Sequence, residues 1–405
     1  MVSQAEVKLW AEVHEQKGFS LQNMKQRLKR LSIETPSWGY GDAGTRFKVF
    51  KQKGVPRDPF EKLEDAAQVH RVTGVCSKVA IHIPWDKVAN YTELKTHAQG
   101  LGLEIGAVNP NLFQEEEYAL GSLCNSNLEV RQRAVAHVLE CVDIMGQVDS
   151  KVLSLWLADG TNYPGQDSFR RRKRYLEEAL SEIYPHLPVN ARLLIEYKGF
   201  EPAFYHTDLA DWGMAYNHAV KLGAQAQVLV DLGHHPLGTN VAYIVASLLD
   251  EGKLGGFHFN NRKYADDDLM VGSIDPYELF LIANELVEGE NDESTAACAR
   301  NVSYMIDQSH NIERKIPAMI RSVMTIQTAF AKALLVPQAA LRKVQEAGDV
   351  IGAELLMKEA FETDVRPFLA LIREEMGLEP DPLKAYLNGP YPNTIAQRGT
   401  HGQGW

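Results

Sequence analysis

From about residue 76 to 308, short apolar runs rich in β-branched residues alternate with longer stretches whose apolar residues recur at helical spacing. The runs are Cys76 to Pro84, Leu103 to Asn109, Lys151 to Ala158, Arg192 to Lys198, Ala226 to Leu232, Leu254 to Asn260 and Asn301 to Asp307. Most are nearly continuous in Val, Ile and Leu, the pattern of parallel strands covered by helices on both faces. Seven runs are clear, and Leu269 to Ser273 is the short candidate for an eighth between Asn260 and Asn301. Between the runs, Val130, Ala134, Val138, Leu139 and Val142 recur at i, i+4, i+8, i+9 and i+12, one face of a helix. Repeated strand and helix units in this number predict an α/β fold, a (β/α)8 TIM barrel with helical N- and C-terminal extensions. The expected division is an N-terminal helical extension and loop over 1–70, the barrel over 71–330 and a C-terminal helical oligomerisation segment over 331–405. A doubly wound sheet is the competing architecture, but no G-x-G-x-x-G follows the first run to support it.

Outside the alternating region the pattern changes. Pro36 to Phe47 (PSWGYGDAGTRF) is Gly-rich and too aromatic for a free surface loop, because Trp38, Tyr40 and Phe47 would expose an apolar patch. The stretch IERKIPAMIRSVMTIQTAFAKALL carries more apolar residues than one solvent-facing helix needs, and a partner surface is its expected use. The Gly-rich end, NTIAQRGTHGQGW, is expected to be mobile unless another subunit holds it. Inside the alternating region, the basic run Arg170 to Arg174 opens a helix and reads as a solvated face.

Composition narrows the function classes. The 405 residues carry a formal charge of -11, which argues against generic nucleic-acid binding through phosphate neutralisation. No window approaches a membrane span, and the charged start lacks a signal peptide's apolar stretch, so a cytoplasmic protein with no membrane partner is expected. The four cysteines, Cys76, Cys124, Cys141 and Cys298, form no C-x-x-C pair and are expected to be buried reduced thiols.

Candidate chemistry collects at the predicted strand ends, where a parallel barrel builds its site. These positions hold His82, Trp156, Asp159, Glu196, Lys198, Asp231, His234, His235, His258 and Asp307, with Asp266, Asp267 and Asp268 just beyond the sixth run. Burying several carboxylates together is costly unless cations neutralise them. Oxygen donors with a few imidazoles and no thiolate suit Mn²⁺, Mg²⁺ or Co²⁺ better than structural zinc. Two divalent cations fit the count: one between Glu196, Asp231, His258 and Asp307, the second between His234, Asp266 and Asp268. Each residue has a plainer role available, an Asp as a helix cap or a His as a hydrogen-bonded core group, but seven such coincidences on one face is the weaker account. Lys198, two residues after Glu196 on one strand, would project its ammonium beside the metal and stabilise a developing oxyanion. His82 would contact sugar hydroxyls or assist ring opening. Trp85 and Trp156 offer flat apolar faces suited to the C–H side of a sugar, with core packing an equal alternative.

The strings WGYGDAGTRF, HIPWD, WLADGTNYPGQ, IEYKGFEPAFYHTD, VDLGHH and HFNNRKYADDDLMVGSIDP resemble those of bacterial L-rhamnose isomerases of broad aldose specificity, relatives of xylose isomerase. The resemblance runs from about residue 30 to beyond 310. It implies a TIM barrel, a homotetramer, two divalent cations, usually manganese, and interconversion of L-rhamnose with L-rhamnulose, with other aldoses such as D-allose also turned over. By motif, it assigns a structural ion to Glu196, Asp231, His258 and Asp307, and a catalytic ion to His234, Asp266 and Asp268. Lys198, His82 and Trp156 match substrate-pocket positions, with Lys198, His82 and Asp268 the catalytic candidates and His234 shared between metal and substrate. The loop with Phe47 resembles a segment that closes a neighbouring subunit's site. A metal-dependent barrel hydrolase is the first rival, to which the acidic charge gives little support. A non-enzymatic sugar-binding protein is the second, against which two complete ligand sets count.

Overall fold

The structure is a computed structural model that describes residues 4–43, 49–201, 205–262, 268–309 and 311–403. Eight parallel strands close into a barrel: β1 (Ile33–Pro36), β2 (Lys78–Ile83), β3 (Glu104–Pro110), β4 (Val152–Leu155), β5 (Arg192–Glu196), β6 (Ala226–Asp231), β7 (Leu254–Phe259) and β8 (Ser303–Ile306). Each strand lies beside its sequence neighbours, and β1 meets β8 through Ile33 opposite Tyr304. A helix follows every strand, from Pro59–Thr73 after β1 to Lys315–Ala333 after β8, so the (β/α)8 expectation holds. A small antiparallel sheet of Gly160–Thr161, Tyr205–Thr207 and Phe200–Glu201 sits beyond the ends of β4 and β5.

Local chemistry sets the helix limits. Asp58 caps the first barrel helix by accepting from the Glu61 amide, Pro59 follows at its first turn, and Gly74 ends it with a φ of 75° that a side chain would strain. The helix Leu128–Val148 buries Val130, Ala134, Val138 and Val142 against the barrel, with Leu139 half-buried at the edge of the same face. Cys76, Cys124 and Cys141 are buried as expected, Cys298 is only half-buried, and all four are unbridged.

The structure bears on five expectations and overturns four of them. The missing strand is β1, from within the segment assigned to the N-terminal extension, whereas Leu269 makes only an isolated bridge to Asn261. With an acid at its second position and a proline at its end, β1 carries no apolar run. Glu34 is inside the barrel, accepting from the Ala107 amide at 2.8 Å over Gly106, where a Cβ would collide with the carboxyl. Second, the apolar helix Lys315–Ala333 is not a partner surface: it is sandwiched between the barrel and the helices near both chain ends, and so is apolar on more than one side. Third, Trp38 and Tyr40 are buried within their own chain, in keeping with a segment too aromatic to lie free, while Phe47 lies outside the described residues. Fourth, the tail up to Gln403 is fastened to its own chain by Gly54 N–H to Gly399 O and Gln403 N–H to Pro56 O, at 2.8 and 2.7 Å. Fifth, Arg172 leaves the solvated face of its helix and turns inward to bind both Asp208 oxygens.

The C-terminal residues form helices, including Val350–Glu362 and Arg366–Glu375, which extend the barrel as expected. The N-terminal helix Gln4–Gln16 packs on them, with the Trp10 ring stacked on Phe368 at 4.7 Å and its N–H donating to Asp364 O. Among the described residues no single helix is long and apolar enough to cross a membrane.

Candidate metal centre at the barrel mouth

Glu196 ends β5, Asp231 ends β6, His258 is next to last in β7, and Asp307 follows β8. Parallel register puts His258 opposite Asp231, so four adjacent strands deliver their last side chains to one point. One donor atom from each residue lies within 4.8 Å of all the others. The His258 Nδ1 is 3.1 Å from Glu196 Oε1, 3.5 Å from Asp307 Oδ2 and 3.8 Å from Asp231 Oδ2. Neighbours hold the carboxylates in place: Asn260 Nδ2 and the Gly233 amide donate to Asp231, and Trp38 Nε1 donates to Asp307 Oδ1 at 2.8 Å.

Electrostatics point the same way. Burial opposes protonation of His258, but the charges of Glu196 and Asp307, the Glu196 hydrogen bond and Asp231 outweigh it and lift the imidazole to about 10. Burial would push Glu196 up, yet His258, His234 and Lys198 hold it below the usual carboxylate range. Three carboxylates around one imidazole are net negative, and a divalent cation supplies charge that otherwise must come from a proton. Hard oxygen donors plus one nitrogen fit Mn²⁺, Mg²⁺ or Co²⁺.

His234 flanks this cluster. Its Nδ1 lies 2.9 Å from the Tyr197 carbonyl, which can only accept, so Nδ1 carries a proton and Nε2 is turned toward Asp231 Oδ1, 3.8 Å away. An imidazole fixed through a backbone carbonyl is how metal-binding histidines are commonly oriented. Among the described residues Asp268 stands outside the four-donor cluster, half-buried at a φ of 68° and accepting from Ser309 Oγ at 2.9 Å. Asp266 lies outside the described residues.

An aromatic wall stands beside the carboxylates. His82, in β2, stacks on Trp85 with centroids 3.8 Å apart, and Trp38 lies nearly perpendicular to it with centroids 5.6 Å apart. Phe113, from the loop after β3, touches both His82 and Trp156. The Lys198 ammonium lies 5.5 Å from the Trp156 ring centre, bringing both into the same space. Burial, reinforced by the Lys62 and His137 charges, pushes His82 well below the usual histidine range, so it is neutral at pH 7. Its Nδ1 and the Trp156 Nε1 are buried without a hydrogen-bond partner among the described residues.

Two parts of the site escaped the sequence reading. Trp38 supports Asp307 from 269 residues away, and Phe113 bridges His82 and Trp156 from a loop without a chemical motif. A strand-end residue also proved different in kind: Asp159, grouped in space with Cys124 and Asp208, is already satisfied by Ser122 N–H and O–H and the Cys124 amide. It fastens the loop after β3.

A closed parallel barrel with a buried carboxylate and imidazole cluster at its C-terminal mouth defines a TIM-barrel protein with a candidate metal centre. A family model for the xylose isomerase-like TIM barrel matches residues 73–286. A probable sugar isomerase of Rhizobium meliloti (strain 1021) is 43% identical over 386 residues, spanning 94% of this chain and 89% of the relative. A probable sugar isomerase of Mesorhizobium japonicum is 42% identical over 388 residues, again 94% of this chain and 89% of the relative. Among solved structures, an L-ribulose 3-epimerase matches with a TM-score of 0.54 at 12% identity, over 79% of this chain and 98% of that one, which is likeness of fold alone. The chain belongs to the xylose isomerase-like TIM barrel family.

Proposed function

We propose that this protein is a divalent-metal-dependent aldose–ketose isomerase that interconverts L-rhamnose and L-rhamnulose and accepts other aldoses such as D-allose. The observation that carries the reading is the four-donor cluster of Glu196, Asp231, His258 and Asp307 next to a lysine and an aromatic wall with unsatisfied polar groups. The relatives from Rhizobium and Mesorhizobium, described as probable sugar isomerases, support the reaction class. The motif resemblance supports the substrate, Mn²⁺ as the preferred ion, and a second ion at His234, Asp266 and Asp268.

A bound divalent cation would supply Lewis-acid polarisation of the sugar oxygens and a water of lowered pKa. The chain's own groups do the rest. The Lys198 ammonium is placed to stabilise negative charge developing on a sugar oxygen. Neutral His82 offers Nδ1 to a hydroxyl, and Trp156 offers an N–H donor. Trp85 and Phe113 shield the reacting carbons from water and leave one apolar face for C–H groups. Asp268 is the candidate for moving the hydroxyl proton.

Assembly completes the reading: a homotetramer in which the loop bearing Phe47 closes a neighbour's site, with the C-terminal helices contributing to the contacts, in the cytoplasm. The test is a panel of aldoses with metal-depleted and Mn²⁺-reconstituted protein, read as ketose formed. Turnover should require metal and favour L-rhamnose; full activity in verified metal-free protein would overturn it. For the shared site, mixing a Phe47→Ala chain with an Asp268→Asn chain should restore activity above the sum of the parents once subunit exchange is shown.

A further inference from the structure

The C-terminal tail runs to the wall of the candidate site. Arg398 anchors it, with Nη1 2.8 Å from Asp65 Oδ1 and Nε 3.3 Å from Glu61 Oε2. Beyond that clamp the tail lies beside Asp42 and residues 51–56: Lys51 Nζ donates to Gly402 O at 3.0 Å, and the Asp42 amide donates to Gln403 O at 2.9 Å. Gly402 is needed for this course, since a Cβ there would press on Val55. The path ends with Gln403 Nε2 donating to the Trp85 carbonyl at 2.9 Å. A carbonyl only accepts, so the amide of Gln403 must present its NH2 here.

Trp85 is the ring stacked on His82, and its own N–H donates to Gln114 Oε1 at 2.6 Å. The side chain is thereby held from the loop after β3, and the backbone from the tail. The turn between them is closed by Asp86 N–H to His82 O at 2.7 Å and Lys87 N–H to Pro84 O at 3.0 Å.

We propose that residues 399–403 form a positioning strap for the sugar pocket, in which the Gln403 amide fixes the Trp85 backbone and so keeps the Trp85 ring stacked on His82. The inference rests on the reading that this wall receives the sugar. Gln403 is a positioning residue: it acts on substrate only through Trp85.

The experiment uses the full-length, metal-loaded protein with Gln403→Ala and Gln403→Glu, which leave the backbone bonds of the tail in place. Gln403→Ala should raise KM for the sugar about fivefold, the scale of one ordinary hydrogen bond, with kcat within about twofold. Gln403→Glu should not rescue it, because a carboxylate of the same size cannot donate to a carbonyl; a filler role would be rescued. In a Trp85→Ala background, Gln403→Ala should add nothing to KM. Independently of turnover, amide hydrogen exchange at Asp86 and Lys87 should speed up in Gln403→Ala. Unchanged exchange, rescue by Glu, or a KM effect that persists without the Trp85 ring overturns the strap. If the wild type converts no sugar, the functional reading fails, and the exchange measurement still decides whether the tail holds the turn.

Discussion

Trp38 shows how much one side chain can carry. Its N–H orients Asp307 while its ring packs nearly perpendicular to His82, so it belongs to the metal centre and to the aromatic wall at once. Trp38→Phe keeps a ring of similar shape and deletes the donor. It should weaken Mn²⁺ binding by about 10–100-fold, the usual effect of losing a group that orients a ligand, with the thermal midpoint of the metal-free protein little changed. A calorimetric Mn²⁺ titration checks this, and unchanged affinity would separate Trp38 from the centre. Lys198→Met should lower kcat by about 100–1000-fold, the scale of losing one group that stabilises an oxyanion, while Mn²⁺ affinity is retained. The four donors of the cluster could be read in the sequence because each ends an apolar run. Trp38 could not, because nothing local ties a tryptophan to an aspartate on the far side of the chain. Asp159 looked alike in sequence and differs only through the Ser122 and Cys124 amides that fill its lone pairs.

At the scale of elements, hydrophobic patterning revealed seven strands and hid β1, since Glu34 occupies the barrel interior where an apolar side chain was expected. The pairing of Glu34 with Gly106 gives a check of that register. Gly106→Ala should destabilise the fold by about 1–3 kcal/mol through overpacking against the carboxyl. Combining it with Glu34→Ala should recover part of the loss; purely additive thermal or denaturant midpoints would contradict the contact. The apolar helix Lys315–Ala333 was misread for a related reason. Apolar content reports how many sides of a helix are covered, and it does not say whether a second subunit or the same chain covers them.

For the whole molecule, the metal centre joins the ends of β5 to β8 across half of the barrel circumference. An ion that binds only the folded state stabilises it by about 2.7 kcal/mol at a hundredfold excess over its dissociation constant. Mn²⁺ should therefore raise the thermal midpoint of the wild type by a few degrees and leave Asp231→Asn nearly unmoved. An equal rise in both would place the stabilising ion elsewhere. The metal-free protein should remain folded, because the helices and strands already share one apolar core that extends into both terminal regions.

Ring closure between β1 and β8 also sets an order of events during synthesis. β1 leaves the ribosome about 270 residues before its last neighbour, an interval of about 15–55 s at about 5–20 residues per second. Throughout that interval one side of β1 is an edge with no strand to pair with. A short strand bearing an inward-pointing acid and a terminal proline is poorly suited to pairing with a stray chain. The polar character that conceals β1 in the pattern thus makes it a safe strand to leave waiting, and Glu34→Val should scatter more light on refolding from dilute denaturant than the wild type at equal concentration.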